Sequence, residues 1–308
     1  MPCYNPRPVF RYNVVDVDTG EVKVRFIFNP VDPHFDVRDE RTQHMEHLPC
    51  GTCIGCRLDR ARDTSIRGMH ESQLHHHCCT VDLTYDDDHL PPNGSLCQRD
   101  VQLFFKRFRK AIYPKKVRYI YCGEYGSRLQ RPHYHLCLFG YDFLDKDFFK
   151  KSDKGFPLYT SPLLSKLWDK GHHTIGRLTE QSVAYVARYI LKKVNGEKAK
   201  DHYGDREPEF VRFSTRPGIG HDWIVKYFGD VYNYDYVVNS KGHKVRPPRY
   251  YDKVFSKIDP ERFYEIKQKR HKTAEERRLH PDNTYARLSA REEVQAEKTK
   301  LLKRAFEE

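Results

Sequence analysis

The ten residues RPHYHLCLFG at positions 131–140 carry the strongest structural signal in the chain. In a β-strand the side chains alternate between the two faces, so His133 and His135 point to one side. Tyr134, Leu136 and Leu138 share the other side, which predicts a core-facing surface. Two neutral imidazoles side by side on a rigid strand form half of a site for a divalent metal. The alternative is a pair of structural strand histidines with no ligand.

The segments around this strand predict a sheet covered by helices. Further strands are expected at 78–85, 117–124 and 172–178, and helices at 98–112 and 180–194. The connection between 117–124 and 133–140 is short enough to make these strands antiparallel neighbours. Because a hairpin lies among the strands, the pattern favours an α+β fold over a doubly wound one. We expect a central antiparallel sheet with helices packed on one face.

Composition limits the classes of partner and compartment. The chain has 308 residues, 38% of them hydrophobic, and a net charge of +12, which favours a polyanionic partner, first nucleic acid and second an anionic membrane surface. No apolar run predicts a membrane span or a secretory leader. Nine cysteines, an odd number, fit a reducing cytoplasm. We expect an N-terminal extension over 1–56, a main domain over 57–227 and a charged, partly helical region over 228–308.

The predicted helix EQSVAYVARYILKKV (180–194) presents two tyrosines and a lysine together. At about 100° per residue, Tyr185, Tyr189 and Lys192 fall on the face opposite the apolar stripe, which we therefore expect to be exposed. A phenolic oxygen can attack a phosphodiester, and a nearby cation can hold the phosphate. The alternative is chance, since the chain contains 21 tyrosines.

Two further groups of residues have metal-ligating chemistry. Glu124 ends the strand before the histidine strand, so a hairpin would bring its carboxylate near the imidazoles as a third ligand for Mg²⁺ or Mn²⁺. Cys50, Cys53 and Cys56 form a C-x₂-C-x₂-C pattern that could hold Zn²⁺. Its fourth ligand stays open among Cys3, His44, His47 and Cys97. The alternative is a turn of reduced cysteines leading into a helix.

Basic residues interleaved with aromatic ones are candidates for binding nucleic acid, where rings stack on bases and cations contact phosphates. They lie in FFKRFRK and FVRFSTR and comprise Lys106, Arg107, Arg109, Lys110, Arg212 and Arg216. The alternative for each is an ordinary solvated surface.

Together these motifs resemble the HUH endonucleases that start rolling-circle replication, and in particular those of gokushovirus-like microviruses, small single-stranded DNA bacteriophages. The resemblance rests on HYH in RPHYHLCLFG, on GEYG before it and on YVARYILKK after it. PCGTCIGCR (49–57), VDLTYDDDHLP (81–91) and FSTRPGIG (213–220) add to it. It covers roughly residues 49–227. Two positions depart from the pattern: Tyr134 lies between the histidines, and Asp82 stands where an uncharged residue is expected.

The resemblance implies an HUH fold of the RRM-like, ferredoxin-like kind and a viral DNA nickase and ligase. His133, His135 and Glu124 would bind the metal, Tyr185 and Tyr189 would be the nucleophiles, and a 5′-phosphotyrosine would link protein and DNA. Lys192 would be an active-site cation. The implied partners are the single-stranded viral origin and a host helicase and polymerase, in the cytoplasm of a bacterial host. Two rival hypotheses are a non-enzymatic nucleic-acid-binding protein with a zinc knuckle and a metal phosphodiesterase that uses water.

Overall fold

The structure is a computed structural model that describes residues 3–15, 17, 20, 22–27, 42–126, 129–152, 155–189, 193–194, 198–239 and 241–300. The chain divides into two compact units. The terminal unit contains the described residues up to Arg57 and from Glu276 onward, and the central unit contains Leu58–Glu275. No helix in the described part of the chain combines the length and apolar character needed to cross a bilayer.

The terminal unit is built on a three-stranded antiparallel sheet. Its strands are β1 (Arg7–Val15), β2 (Val22–Ile27) and β3 (Thr42–Leu48), in the order β2-β1-β3. A turn then leads into α1 (Ile54–Ser72), and the last described helix is α9 (Tyr285–Lys300).

The central unit contains a seven-stranded sheet in which every neighbouring pair is antiparallel, so the predicted α+β class is confirmed. Its strands are β4 (Cys78–Thr84), β5 (Arg118–Tyr125), β6 (Pro132–Phe139), β7 (Asp147–Lys151), β8 (Pro157–Thr160), β9 (His173–Arg177) and β10 (Phe210–Phe213). The strand order is β10-β5-β6-β4-β9-β8-β7, which puts the histidine strand β6 between β5 and β4.

The helices that follow α1 are α2 (Gln98–Ala111), α3 (Pro162–Leu167), α4 (Glu180–Arg188), α5 (Lys198–Tyr203), α6 (His221–Tyr232), α7 (Arg249–Ile258) and α8 (Pro260–Arg278). Two short strands, β11 (Val237–Val238) and β12 (Lys244–Val245), pair with each other. The predicted helix over 180–194 is shorter than expected, because α4 ends at Arg188. Residues 190–192 and 195–197 lie outside the described part of the chain.

Helices cover both faces of the seven-stranded sheet, so the expectation of helices on one face is wrong. On one face, Tyr134, Leu136 and Leu138 of β6 are fully buried in a core with apolar residues of α2 and α3. On the other face, Cys137 and Phe139 are buried with residues of α4 and with Met69 of α1. Both faces of β6 carry apolar side chains because each face is packed against helices.

One glycine sets how closely α1 approaches the sheet. A Cβ on Gly68 would lie 2.5 Å from Cγ1 of Val183 in α4 and 3.0 Å from Cδ1 of Ile120 in β5. Val183 is β-branched and fully buried, so it has little freedom to move aside. Gly68 therefore lets α1, α4 and β5 meet at one point.

We predict that Gly68→Ala lowers the free energy of unfolding. Overpacking costs about 1–3 kcal/mol, which outweighs the gain in helix propensity of about 1 kcal/mol. The matched control is Gly229→Ala in α6, where a Cβ would meet no atom within 4 Å. It should raise the free energy of unfolding by about 0.5–1 kcal/mol. Denaturant titration of both variants checks this, and a Gly68→Ala variant as stable as the wild type would contradict it.

Candidate active site

The register of three central strands places the predicted metal ligands on one face of the sheet. Glu124 of β5 lies directly opposite His133 of β6. His135 lies opposite Cys122 on one side and opposite Asp82 of β4 on the other. Because directly opposed residues point to the same side of a sheet, these side chains form one patch on the face that α4 covers.

His135 is held between two carboxylates. Its Nε2 lies 2.7 Å from Oε1 of Glu124, and its Nδ1 lies 2.6 Å from Oδ1 of Asp82. Thr174 of β9 donates a hydrogen bond to the second oxygen of Asp82, at 3.2 Å. Each partner comes from a different strand, so the ring is fixed by the sheet register itself.

The two histidines of the pair have different electrostatic environments. Burial would lower the pKa of His135, but the charges of Asp82 and Glu124 and their hydrogen bonds raise it to about 10. Burial lowers the pKa of His133, and the neighbouring His135 lowers it further, so His133 is neutral at pH 7. Nδ1 of His133 is buried and has no hydrogen-bond partner among the described residues.

Both tyrosines of α4 pack on His135. The ring of Tyr189 stacks on the imidazole with centroids 5.5 Å apart and planes 11° apart, and Tyr185 meets it edge-on at 5.1 Å. The hydroxyl of Tyr189 donates a hydrogen bond to the hydroxyl of Tyr185. Four predicted site residues, Glu124, His135, Tyr185 and Tyr189, therefore form one contiguous cluster.

The expectation that these tyrosines occupy an exposed face is wrong. Tyr185 is 6% and Tyr189 3% exposed, and both belong to the same buried cluster as Val183 and Val186. The physical reason is that α4 lies against the sheet, and the two aromatic rings cover the imidazole and the apolar surface around it. An amphipathic pattern separates polar from apolar faces, but it does not show that a polar face lacks a partner.

The phenols are protonated in this arrangement. Burial and the adjacent Glu124 carboxylate raise the pKa of both Tyr185 and Tyr189 far above the ordinary range. Neither phenol is ionised at neutral pH in this arrangement, although both rings pack on the His135 imidazole. Lys192, the predicted cation, lies outside the described residues.

The donor set fits a divalent cation in its chemistry. Nε2 of His135 and Oε1 of Glu124 are already close together, and neutral His133 lies beside them with an unpaired ring nitrogen. The carboxylate is a ligand type that Mg²⁺ and Mn²⁺ prefer, whereas imidazoles are typical of softer divalent ions, so this set suits Mn²⁺ better than Mg²⁺. The ligand atoms of His133, His135 and Glu124 do not all lie within 4.8 Å of one another. Within the described residues, only Cys3, Cys50, Cys53 and Cys56 of the terminal unit do so.

Asp82 is the site residue that sequence reasoning missed. In the sequence it stands out only as a departure from the family pattern, whereas in the structure its carboxylate contacts the Nδ1 nitrogen of His135. A carboxylate on the distal nitrogen of a ligating histidine fixes the tautomer and the ring orientation. The signal was present in the alternation of CCTVDLT, which puts Asp82 on the face away from buried Val81 and Leu83.

Most of the predicted DNA-binding residues lie away from this cluster. Lys106, Arg109 and Lys110 are exposed on α2, which packs on the opposite face of the sheet. Arg107, also on α2, is partly engaged, since it pairs with Asp169 at 2.9 Å and donates to the carbonyl of Leu167. The structure thus does not bring the α2 cations to the histidines.

The other two candidates follow the edge strand. Arg212 of β10 is exposed and lies over the ring of Phe210, which belongs to the core on the α2 side. Arg216 is exposed in the loop after β10. Closer to the site, an open depression beside His133 is also lined by Arg131 and His172.

The chain is similar to known replication proteins. A family model described as replication-associated protein ORF2/G2P matches residues 73–194. Replication-associated protein VP4 of Bdellovibrio phage phiMH2K is 35% identical over 229 residues, which cover 72% of this chain and 71% of that protein. Replication-associated protein ORF2 of Spiroplasma virus 4 is 35% identical over 243 residues, which cover 74% of each.

A third relative, replication-associated protein ORF4 of Chlamydia phage 1, is 31% identical over 153 residues, which cover 47% of this chain and 38% of that protein. No solved structure matches the chain. The first two relatives exceed 30% identity over more than two thirds of their length, and the model match spans the histidine strand and the tyrosine helix. The chain therefore belongs to the family of replication-associated proteins of gokushovirus-like single-stranded DNA phages.

Proposed function

We propose that this chain initiates replication of a single-stranded DNA phage by cutting and rejoining one DNA strand at the origin through a tyrosine. The observation that carries the proposal is the packing of Tyr185 and Tyr189 on His135, beside Glu124. Nucleophile candidates and metal-ligand candidates, which are separated in sequence, meet in one cluster. The relatives are named replication-associated proteins, which supports the same conclusion.

The proposed reaction is a transesterification. A tyrosine oxygen attacks the scissile phosphorus in line, a bond forms between that oxygen and phosphorus, and the bond to the 3′ oxygen breaks. The phenolic proton leaves the tyrosine, and the released 3′ oxygen takes up a proton to become the 3′-OH that primes a polymerase. Since one phosphodiester replaces another, rejoining the strand needs no nucleotide cofactor.

His133, His135 and Glu124 would hold Mg²⁺ or Mn²⁺, which when bound supplies Lewis-acid polarisation of the scissile phosphate. Asp82 keeps the Nδ1 nitrogen of His135 occupied, so Nε2 points toward Glu124 and the tyrosines. Neutral His133 offers a lone pair without first losing a proton. In this proposal Lys192 supplies the positive charge that the buried phenols need in order to ionise.

Access to DNA requires the tyrosine end of α4 to move. Both rings are buried, and Tyr189 follows the last residue of the helix. A displacement confined to this end would uncover the two hydroxyls without disturbing Val183, which lies deeper in the core. Two phenols allow the second to cut a regenerated origin while the first still holds a 5′ end.

Side chains on two sides of the sheet would hold the strand. Arg131 and His172 line the depression beside His133 together with Asp86 and Asp87, and Arg131 pairs with Asp87 at 2.6 Å, so a phosphate near the scissile bond would have to displace this ion pair to reach Arg131. The exposed cations of α2 and Arg212 lie on the other face and would bind DNA farther from that bond. A host helicase and polymerase would act on the released 3′-OH, in the cytoplasm of a bacterial host.

We predict that Tyr185→Phe combined with Tyr189→Phe abolishes the covalent DNA–protein adduct. With Mn²⁺ and 3′-labelled oligonucleotides tiled across the phage genome, adduct formation on denaturing gels should fall by about 10³-fold or more. The control is Tyr251→Phe, because Tyr251 is also a fully buried tyrosine with a hydrogen-bonded hydroxyl, but its partner is His70. Adduct that survives in the double variant would remove both tyrosines from the reaction.

A second prediction concerns Asp82. Asp82→Asn removes the charge that orients His135, so the Mn²⁺ concentration needed for half-maximal cleavage should rise about 10- to 100-fold. High Mn²⁺ should restore most of the rate, because the ligands themselves remain. Asp147→Asn, on an exposed strand residue, is the charge-matched control. An unchanged Mn²⁺ requirement in Asp82→Asn would mean that Asp82 does not support a metal ligand.

One observation favours the rival function, a non-enzymatic DNA-binding protein. The phenols are nearly inaccessible, and both ring nitrogens of His135 already have partners, as in a purely structural cluster. This rival predicts DNA binding that weakens with salt and no adduct under any metal condition. The adduct assay on the wild-type chain separates the two hypotheses directly.

A further inference from the structure

The cysteine cluster of the terminal unit brings together three segments of the chain. Cys3 belongs to the segment before β1, Cys50 and Cys53 to the turn before α1, and Cys56 to the first turn of α1. The four Sγ atoms all lie within 4.8 Å of one another. The sequence offers four candidates for the fourth ligand. Of these, Cys3 is the one that the structure groups with Cys50, Cys53 and Cys56.

The sulfur spacings match those around a single tetrahedral zinc ion. Sγ of Cys3 lies 3.6 Å from Sγ of Cys50 and 3.9 Å from Sγ of Cys53. With Zn–S bonds near 2.3 Å, the edge of a tetrahedron of sulfurs is about 3.8 Å. All four cysteines are free thiols rather than disulfide partners.

Backbone amides point at the sulfurs, as expected for thiolate ligands. The amide of Cys50 donates to Sγ of Cys3 at 3.2 Å, and the amide of Cys53 donates to Sγ of Cys50 at 3.3 Å. The amides of Tyr4 and Cys56 both donate to Sγ of Cys53, each at 3.4 Å. These four amides fix the positions of three of the four sulfurs.

Among its described residues, the terminal unit buries few apolar side chains. The buried cluster around the cysteines consists of Tyr4, Cys53 and Leu288, the last from α9. Glu292 of α9 accepts a hydrogen bond from the amide of Ile54, the first residue of α1. Small units with a limited core are commonly stabilised by a structural metal.

We propose that Cys3, Cys50, Cys53 and Cys56 form a closed tetrathiolate zinc site that holds the terminal unit folded. Four protein ligands leave no open position, so the site is structural and not catalytic. The ion ties the segment before β1 to the start of α1, and α9 packs against the same point. The residues of the proposed nicking reaction belong to the central unit and include none of these cysteines.

The first test is metal analysis of the full-length chain purified under reducing conditions. We expect one zinc per chain, and Co²⁺ substitution should give the intense visible bands of a tetrahedral thiolate site. Cys3→Ser should weaken zinc binding by about 100-fold or more, since one of four ligands is lost. Cys97→Ser is the matched control, because Cys97 was an alternative ligand but lies before α2 in the central unit, and its zinc content should equal the wild type.

A second measurement needs no variant, so a Cys3→Ser chain that fails to fold leaves the test intact. Alkylation of the wild-type chain with and without a chelator, read by mass spectrometry, should show Cys3, Cys50, Cys53 and Cys56 protected only while metal is bound. A Cys3–Cys50 disulfide in the reduced preparation, absence of zinc, or protection that omits Cys3 would each overturn the proposal.

Discussion

The structure depends on how His135 is held at the centre of the sheet. Glu124, Asp82 and the histidine come from three adjacent strands, and their hydrogen bonds form only in the observed register. A slip of one residue would turn each of these side chains to the α2 face. The same register puts Tyr134, Leu136 and Leu138 in the opposite core. Packing on one face therefore enforces the polar geometry on the other.

The pairing of His135 with Glu124 and Asp82 also explains why Tyr185 and Tyr189 are buried against the imidazole. A protonated imidazole between two carboxylates is a buried cation, and such a group is costly unless it is fully paired. The rings of Tyr185 and Tyr189 shield it from water, and their hydroxyls add hydrogen bonds within the cluster. Under the proposed function, the cluster that stabilises the fold is also the one that must open for DNA. Burial of Tyr185 and Tyr189 stabilises the fold, whereas the proposed reaction requires their hydroxyls to be exposed to DNA. Both requirements act on the end of α4.

Part of the central sheet was predictable from sequence, because every second residue of CCTVDLT is buried. PHYHLCLF is buried on both faces, so it alternates in polarity only around the two histidines. The hairpin that brings Glu124 opposite His133 followed from loop length. The burial of Tyr185 and Tyr189 could not be read in this way, since a helical wheel shows which residues share a face but not what packs on it. The face on which Asp82 lies could be read from the alternation, but its partner could not, because His135 is on the neighbouring strand, 53 positions away in sequence. The predicted domain limits at 56 and 227 stay predictions.

Identification of the residue that carries DNA tests the central claim most directly. Trypsin cleaves after Arg188 and so separates Tyr185, in the peptide 178–188, from Tyr189, in the peptide 189–192. After reaction with origin DNA and Mn²⁺, nuclease trimming and mass spectrometry should find a nucleotide 5′-phosphate on one of these two peptides. A nucleotide attached to any other peptide, or a chain that cleaves DNA and carries none, would contradict a tyrosine of α4 as the nucleophile.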